Sequence, residues 1–171
     1  MQEYLIVDGY NIIGAWPALT KLKEVNLEEA RDRLIDILAN YQGYSGMRIL
    51  IVFDAHQVPG LGREYNRSKL KVIYTREKET ADECIERLVA ELSQKRVRIH
   101  VATSDFVEQH VTFGKGALRI SARELLIMVQ QSGKEISAKI EGERGPRGST
   151  FDNALSKEIR NIFEKWRRSR E

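Results

Sequence analysis

The stretch from residue 4 to residue 11 constrains the fold of this chain more than any other part of the sequence. Residues 4–7 are Tyr-Leu-Ile-Val, and this run ends directly at Asp8, with Gly9 behind it. A continuous apolar run that stops at a turn signal is typical of a central strand in a parallel sheet. Open α/β sheets bind their ligands beyond the carboxyl ends of the strands. Asp8 is therefore the first candidate site residue.

Composition sets the class of protein around that strand. The chain has 171 residues, of which 42% are hydrophobic and 31% charged, as expected for one globular domain with a sizeable core. No apolar run approaches the roughly 20 residues that span a bilayer, and no signal peptide precedes the first strand. Cys84 is the single cysteine, which excludes an internal disulfide and a cysteine-built zinc site. We therefore expect a cytoplasmic protein that has no membrane partner.

Strand-like and helix-like patterns alternate along the chain. The predicted strands are 4–7, 48–53, 70–74, 98–102 and 117–120, with a possible short edge strand at 136–140. Predicted helices begin after caps at Asn26, Thr80, Ser121 and Asp152, and a short one is expected within 105–111. The first of these ends at Gly43 and Gly46, and the third stops at Gly133; connections are expected at 12–26, 55–68 and 141–150. The alternation predicts a single α/β domain over residues 1–171: a three-layer sandwich around a central, mostly parallel sheet.

Three aspartates are the candidate metal ligands. Asp8 and Asp105 follow the first and fourth predicted strands, and these strands are neighbours if the strand order is 3-2-1-4-5. Asp82 lies in the first turn of a predicted helix that can lean over the same crevice. Carboxylates that lie close together repel unless a cation compensates them, and Mg²⁺ or Mn²⁺ suits such oxygen ligands. Taken singly, each aspartate also fits a structural role as a turn or helix cap, or as a complement to the helix dipole.

Three short motifs carry a resemblance to a known family. They are Asp8-Gly9-Tyr10-Asn11 after an apolar strand, Thr80-Ala81-Asp82 at a helix start and Thr103-Ser104-Asp105 after another strand. In this order and spacing they resemble the YacP-like members of the NYN branch of the PIN-like nuclease superfamily, which include a ribosome-associated endoribonuclease that cleaves messenger RNA. The resemblance covers nearly the whole chain and implies a PIN-like fold.

The resemblance also implies roles for individual residues. Asp8, Asp82 and Asp105 would be the catalytic, metal-binding acids, and Asn11 and Ser104 polar neighbours that help to place metal or phosphate. Many PIN-like sites contain a fourth acid, for which Glu83 and Asp54 are both candidates. The number of metal ions that the site binds, one or two, therefore stays open. The implied reaction is hydrolysis of single-stranded RNA, with 5′-phosphate and 3′-hydroxyl products.

Basic and aromatic residues form the candidate RNA-binding surface. The formal charge of +3 is a weak signal by itself, so the clustering of cations decides the interpretation. Lysine and arginine contact phosphates, and exposed aromatic rings stack on unpaired bases. The chain also has a basic tail at 165–170, which is more simply interpreted as a solvent-exposed charged face. The predicted RNA-binding residues are Arg63, Tyr65, Arg67, Lys69, Arg76, Lys78, Arg144 and Arg147.

Two other functions are compatible with the sequence. The first is a non-catalytic RNA- or ribosome-binding module that has kept its acids. The second is a haloacid dehalogenase-type phosphatase, whose nucleophilic aspartate is followed two positions later by another aspartate, where this chain has Tyr10. No Walker loop or dinucleotide fingerprint is present, since Gly60-Leu61-Gly62 lacks the following glycine, so no nucleotide cofactor is expected.

Overall fold

A six-stranded sheet forms the centre of the molecule. The computed structural model describes residues 1–55, 64–67, 70–104 and 116–144, without the side chains of residues 64–67, 136 and 138–144. The strands, in the spatial order β3-β4-β2-β1-β5-β6, are β1 (Gln2–Asp8), β2 (Arg48–Phe53), β3 (Glu64–Arg67), β4 (Leu70–Tyr74), β5 (Val97–Ala102) and β6 (Leu118–Ile120).

The strand order confirms the prediction for the parallel part of the sheet. β1 pairs in parallel with β2 on one side and with β5 on the other, and β4 and β6 extend the sheet in parallel beyond them. In the numbering of the predicted strands this is the order 3-2-1-4-5. β3 adds an antiparallel edge strand next to β4. The chain winds outward from β1 through β2 to β4 and then returns to β5 on the other side of β1. The switch point of the sheet therefore lies between β1 and β5, where Asp8 leaves β1.

Helices cover both faces of the sheet and complete the predicted three layers. They are α1 (Gly9–Ala15), α2 (Pro17–Val25), α3 (Leu27–Ser45), α4 (Ala81–Ser93) and α5 (Ala122–Arg144). Side chains alternate along β1: Leu5 and Val7 pack in a core with α1, α2, α3 and α5, whereas Ile6 packs in a second core with α4. Both cores are built from buried side chains, which explains why the strands are apolar runs with few polar interruptions.

The predicted helix caps at Asn26, Thr80 and Ser121 are confirmed. The side chains of Asn26 and Thr80 accept hydrogen bonds from the backbone N–H groups three residues later, both at 3.2 Å. Ser121 and Glu124 form a complete capping box, with bonds of 3.1 Å and 3.4 Å. α3 ends at Gly46, whose φ of 74° is the left-handed conformation that favours glycine at this position.

Trp16 connects the first helices to the last described one. Its side chain is fully buried, and its indole N–H donates a 2.8 Å hydrogen bond to the carbonyl of Ala122 at the start of α5. The ring is therefore part of the core and is not available to stack on a base.

Helices replace the connection that we expected between residues 12 and 26. α1 starts directly after Asp8, and α2 starts at Pro17, with Trp16 alone between them. Pro17 occupies the first helical position, where its missing N–H leaves no hydrogen bond unmade. Gly14 is tolerated because it lies on the exposed side of α1.

Three further expectations are wrong. β3 occupies part of the expected loop at 55–68. Its residues pair with β4 through their backbones and show no apolar pattern, so the sequence did not indicate a strand there. α3 continues through Gly43 to Ser45 and ends at Gly46, so only the second of the two expected terminating glycines is confirmed. α5 continues through Gly133 and includes 136–140, so the expected edge strand is helical. Gly43 and Gly133 therefore lie within helices, where a glycine costs only about 1 kcal/mol relative to alanine.

Other expectations lie outside the described residues. These are the short helix within 105–111, the final helix capped by Asp152 and the basic tail; of the expected loop at 141–150, residues 141–144 belong to α5. In the described part of the chain, no helix is both long enough and apolar enough to cross a membrane.

Candidate active site

Asp8 ends β1 at the switch point and begins α1. Its side chain is 8% exposed and accepts a 3.4 Å hydrogen bond from the backbone N–H of Asn11, which makes Asp8 the N-cap of α1. The alternation along β1 gives Asp8 the parity of Ile6, whose core contains α4. A largely buried carboxylate needs hydrogen-bond donors or a cation to remain charged. The cap supplies one such donor.

Asn11 joins the exits of two adjacent strands. Its side-chain oxygen accepts a hydrogen bond from the backbone N–H of Ser104, just beyond β5. On the other side of β5, the N–H of Thr103 donates to the carbonyl of Ile120 at 3.2 Å. The chain leaving β5 is thus bonded to α1 through Asn11 and to β6 through Ile120. Ser104 immediately precedes Asp105, the third predicted ligand, which lies outside the described residues.

Asp82 lies at the same edge of the sheet, in the first turn of α4. α4 packs its buried face, which includes Cys84 and Ile85, on the core that also contains Ile6 of β1. Asp82 is half-buried, whereas Glu83 is exposed. The fold therefore places Asp8 and Asp82 at the carboxyl edge of the sheet.

The two candidates for a fourth acid are placed differently. Glu83 is exposed and uses its backbone N–H to complete the Thr80 cap. Asp54 follows β2 and is half-buried, and its charge contributes to the raised pKa of Tyr10, which indicates proximity to α1. The fourth acid stays a prediction with both candidates open.

Hydrogen bonds fix the segment between β4 and α4, which leads into the helical turn that contains Asp82. The buried hydroxyl of Thr75 accepts a 2.9 Å hydrogen bond from the N–H of Ala55. The Glu79 carboxylate accepts bonds from Arg87 at 3.2 Å and 3.3 Å and from the N–H of Arg76 at 3.4 Å. Burial alone would raise the pKa of Glu79, but these hydrogen bonds outweigh it and lower the pKa. Glu79 is therefore a structural carboxylate.

Exposed cations border the site on this segment. Arg76 and Lys78 are both exposed and lie in one turn. In this turn the N–H of Glu79 donates a 3.0 Å hydrogen bond to the carbonyl of Arg76. Lys78 has a φ of 66°, a left-handed conformation that side chains other than glycine rarely adopt. Among the other predicted RNA-binding residues, Tyr65 and Arg67 lie in β3 and Arg144 ends α5, whereas Arg63, Lys69 and Arg147 lie outside the described residues.

The donor chemistry at this edge suits a hard divalent cation. Asp8 and Asp82 offer carboxylate oxygens, the ligands that Mg²⁺ and Mn²⁺ prefer. Of the softer ligands that the structure describes, the Cys84 thiol is buried, which raises its pKa to about 11, and His100 lies 3.5 Å from Glu3. In the ranges that the structure describes, which exclude Asp105, no group of three or more acidic, histidine or cysteine side chains is arranged to hold a metal.

A contact around Arg31 was missed from the sequence. Arg31 of α3 is 8% exposed and donates a 3.1 Å hydrogen bond to the Tyr10 hydroxyl. The signal was present, since Arg31 is four residues after Leu27 and three before Leu34, on the apolar face of the helix. A charged residue at a core-facing position indicates a buried polar contact.

Comparisons with known proteins agree with this architecture. The family model described as the YacP-like NYN domain matches residues 5–168. The protein YacP of Bacillus subtilis (strain 168), which is described as uncharacterized, is 51% identical over 169 residues, and the match covers 97% of each chain.

Two solved structures are also similar. A crystal structure of Rae1 (YacP) from Bacillus subtilis has a TM-score of 0.72 and 50% identity, covering 96% of this chain and 94% of that one. A crystal structure of a tryptophan-to-leucine mutant of Rae1 has a TM-score of 0.75 and 46% identity, covering 99% of this chain and 96% of that one. By sequence and by fold, the chain belongs to the YacP-like NYN domain family, a nuclease-like family with a PIN-like fold.

Proposed function

We propose that this protein is a metal-dependent endoribonuclease that cleaves single-stranded RNA, with messenger RNA on the ribosome as its substrate in the cytoplasm. Asp8, Asp82 and Asp105 hold Mg²⁺ or Mn²⁺, and the nuclease-like family supports an RNA-directed activity. The ribosome and messenger RNA come from the resemblance of the three motifs to the YacP-like proteins.

The hydrogen bond between Ser104 and Asn11 is the observation that carries this proposal. It joins the strand end that bears Asp8 to the residue directly before Asp105, across the switch point where α/β sheets bind ligands. Asp82 belongs to the same edge through α4. We take these contacts as support for one crevice shared by the three aspartates, which are remote from one another in sequence.

Each candidate site residue has a defined part in the proposed reaction. Asp8, Asp82 and Asp105 supply the negative charge that binds the cation, and Asn11 keeps the two strand ends in register. Arg76 and Lys78 attract the RNA backbone toward the crevice. When bound, a divalent cation supplies Lewis-acid chemistry that activates water and offsets charge on the phosphodiester.

Charge-neutralising variants test the proposal. Asp8→Asn keeps a side-chain oxygen that can accept the Asn11 N–H, so α1 stays capped while the charge is lost. Asp82→Asn removes the second charge. Glu91→Gln is the matched control, because it neutralises an exposed acid on the same helix as Asp82, roughly 14 Å along the axis.

The assay measures cleavage of a messenger RNA supplied with translating ribosomes and Mg²⁺ or Mn²⁺. We expect Asp8→Asn and Asp82→Asn to lose on the order of a hundredfold or more in rate, Glu91→Gln to match the wild type, and a chelator to abolish cleavage. Equal rates in the wild type and the two aspartate variants would reject the catalytic assignment.

The alternatives have their own signatures in the same experiment. Cosedimentation with ribosomes without cleavage by the wild type would favour a non-catalytic binding module. A trapped phospho-aspartate at Asp8 would favour the phosphatase, although the residue two positions later is Tyr10, whose hydroxyl is bonded to Arg31.

A further inference from the structure

Three aromatic rings form a continuous group at the carboxyl edge of the sheet. Phe53 ends β2, Tyr74 ends β4 directly beside it, and Tyr10 lies in the first turn of α1. The ring centroid of Phe53 is 5.1 Å from that of Tyr10 and 5.8 Å from that of Tyr74. Phe53 is fully buried, whereas both tyrosines are half-buried, so the phenols lie at the border of the core.

A buried cation lies against these phenols. Arg31 is more than nine-tenths buried and donates to the Tyr10 hydroxyl, and its charge also acts on the Tyr74 phenol. A phenol is neutral, so the bond to Tyr10 does not offset the guanidinium charge; among the acids that act on these phenols, Glu28 and Asp32 are exposed to solvent and Asp54 is half-buried. A buried guanidinium that bonds to neutral groups creates a local preference for an anion.

The phenols keep a proton that they can donate. A phenol hydroxyl carries one hydrogen that it can donate while its oxygen accepts another hydrogen bond. Because the Tyr10 oxygen accepts from Arg31, its own hydrogen points away from the guanidinium. A hydroxyl polarised by a guanidinium is a good donor to an anionic oxygen.

The cluster is adjacent in sequence both to the candidate active site and to the exposed cations. Tyr10 is two residues after Asp8, and Tyr74 is two residues before Arg76. Following the strand ends from β4 through β2 to β1, the order is Arg76 and Lys78, then Tyr74 and Tyr10, then Asp8. An extended polyanion that follows this edge meets all of them.

We propose that Tyr10, Arg31 and Tyr74 form a subsite that binds one backbone phosphate of the single-stranded RNA, next to the phosphodiester that is cleaved. The two phenol hydroxyls donate to the phosphate oxygens, and Arg31 supplies the compensating charge behind them. This subsite rests on the proposed nuclease function and adds to it the residues that fix the position of the strand.

Hydroxyl-deletion variants test the subsite. Tyr10→Phe and Tyr74→Phe keep the rings and remove only the donors, and Arg31→Met removes the charge that Arg31→Lys retains. Tyr41→Phe is the matched control, because it removes the hydroxyl of another buried tyrosine, on the same helix as Arg31 but at its opposite end.

Binding is measured with a short single-stranded RNA in chelator, so that no cleavage occurs. We expect the dissociation constant to rise roughly three- to tenfold in Tyr10→Phe and in Tyr74→Phe, as for loss of one hydrogen bond. It should rise at least as much in Arg31→Met, less in Arg31→Lys and not at all in Tyr41→Phe.

A series of RNAs, each with one phosphate replaced by a neutral methylphosphonate, separates contact from a purely structural role. In the wild type, one replacement should weaken binding, and that penalty should disappear in Tyr10→Phe and Tyr74→Phe. A penalty of the same size in the wild type and the variants would overturn the subsite, even if the variants are less stable.

The two proposals fail in distinguishable ways. If the wild type cleaves RNA while the methylphosphonate pattern is unchanged in the variants, the subsite is wrong and the nuclease function stands. If the wild type shows the pattern but never cleaves, the subsite is supported and the catalytic proposal falls. A wild type that does not bind single-stranded RNA overturns both.

Discussion

Replacing Gly9 by alanine should destabilise the fold through a single collision. A Cβ atom at this position would lie 2.3 Å from Cε1 and 2.5 Å from Cδ1 of Phe53. Ordinary contact between carbon atoms begins near about 3.5 Å, so the ring has to retreat by roughly 1 Å. The ring has little room to do so, since Phe53 is fully buried between Tyr10 and Tyr74.

The magnitude follows from overpacking. An extra methyl group in a filled core costs about 1–3 kcal/mol, and the helix propensity of alanine returns up to about 1 kcal/mol. We therefore expect Gly9→Ala to lower the free energy of unfolding by about 1–2 kcal/mol. For a domain of this size, that lowers the Tm by about 2–8 °C.

Urea unfolding followed by circular dichroism measures this effect, and the same helix offers the control. Gly14 has no atom within 4 Å of a built Cβ, so Gly14→Ala should raise stability by about 0.5–1 kcal/mol. The two substitutions are chemically identical and lie in one helix, but they should have opposite signs.

A double-mutant cycle identifies the cause. Phe53→Leu removes the colliding ring edge, so Gly9→Ala combined with Phe53→Leu should be less destabilised than the sum of the single variants by about 1 kcal/mol or more. Additive effects, or a Gly9→Ala protein as stable as the wild type, would refute the steric explanation.

Three further outcomes follow from described contacts. The Cys84 thiol, with its pKa near 11, should resist a disulfide reagent at pH 8 in the folded protein and react after urea unfolding. Glu79→Gln should lower stability at neutral pH, and because the folded pKa of Glu79 is depressed, the difference from the wild type should be lost as the pH falls through that folded pKa, as judged by thermal unfolding. Lys78→Gly should raise the Tm, because glycine adopts the left-handed backbone conformation without strain. The same substitution should weaken RNA binding, because it removes a cation. A variant in which Tm and RNA affinity both rise, or both fall, would contradict the role of Lys78 as a strained, RNA-binding residue.

Much of the fold could be predicted from the sequence, because local patterns and tertiary packing agree there. β1, β2, β4 and β5 are apolar runs, since each lies in a sheet that is covered on both faces. The caps at Asn26, Thr80 and Ser121 hold because a side-chain oxygen near a helix start satisfies backbone N–H groups that have no other partner.

The errors occur where one pattern has two interpretations. Residues 136, 138 and 140 alternate with polar neighbours, which indicated a strand, but the helix that begins at Ala122 continues through them. Pro17 indicated a loop and is in fact the first residue of a helix. β3 has no apolar signature at all, since its pairing with β4 uses the backbone.

The candidate site likewise contains positions that the sequence predicts and a contact that it does not predict. Asp8 and Asp82 were predicted at the end of a strand and the start of a helix, and the structure puts them at one edge of the sheet. The contact between Arg31 and Tyr10 joins residues 21 positions apart on different helices. No local pattern specifies such a contact, because it depends on how α1 and α3 pack.

The burial of Trp16 gives the protein an internal optical probe. The chain has two tryptophans, and the indole of Trp16 is enclosed in the core and bonded to the carbonyl of Ala122. A Trp166→Phe protein therefore keeps one indole emitter, whose fluorescence is blue-shifted while α2 and α5 stay docked. Its red shift during denaturation reports the separation of these two helices directly, and comparison with circular dichroism shows whether they part before the remaining helices melt.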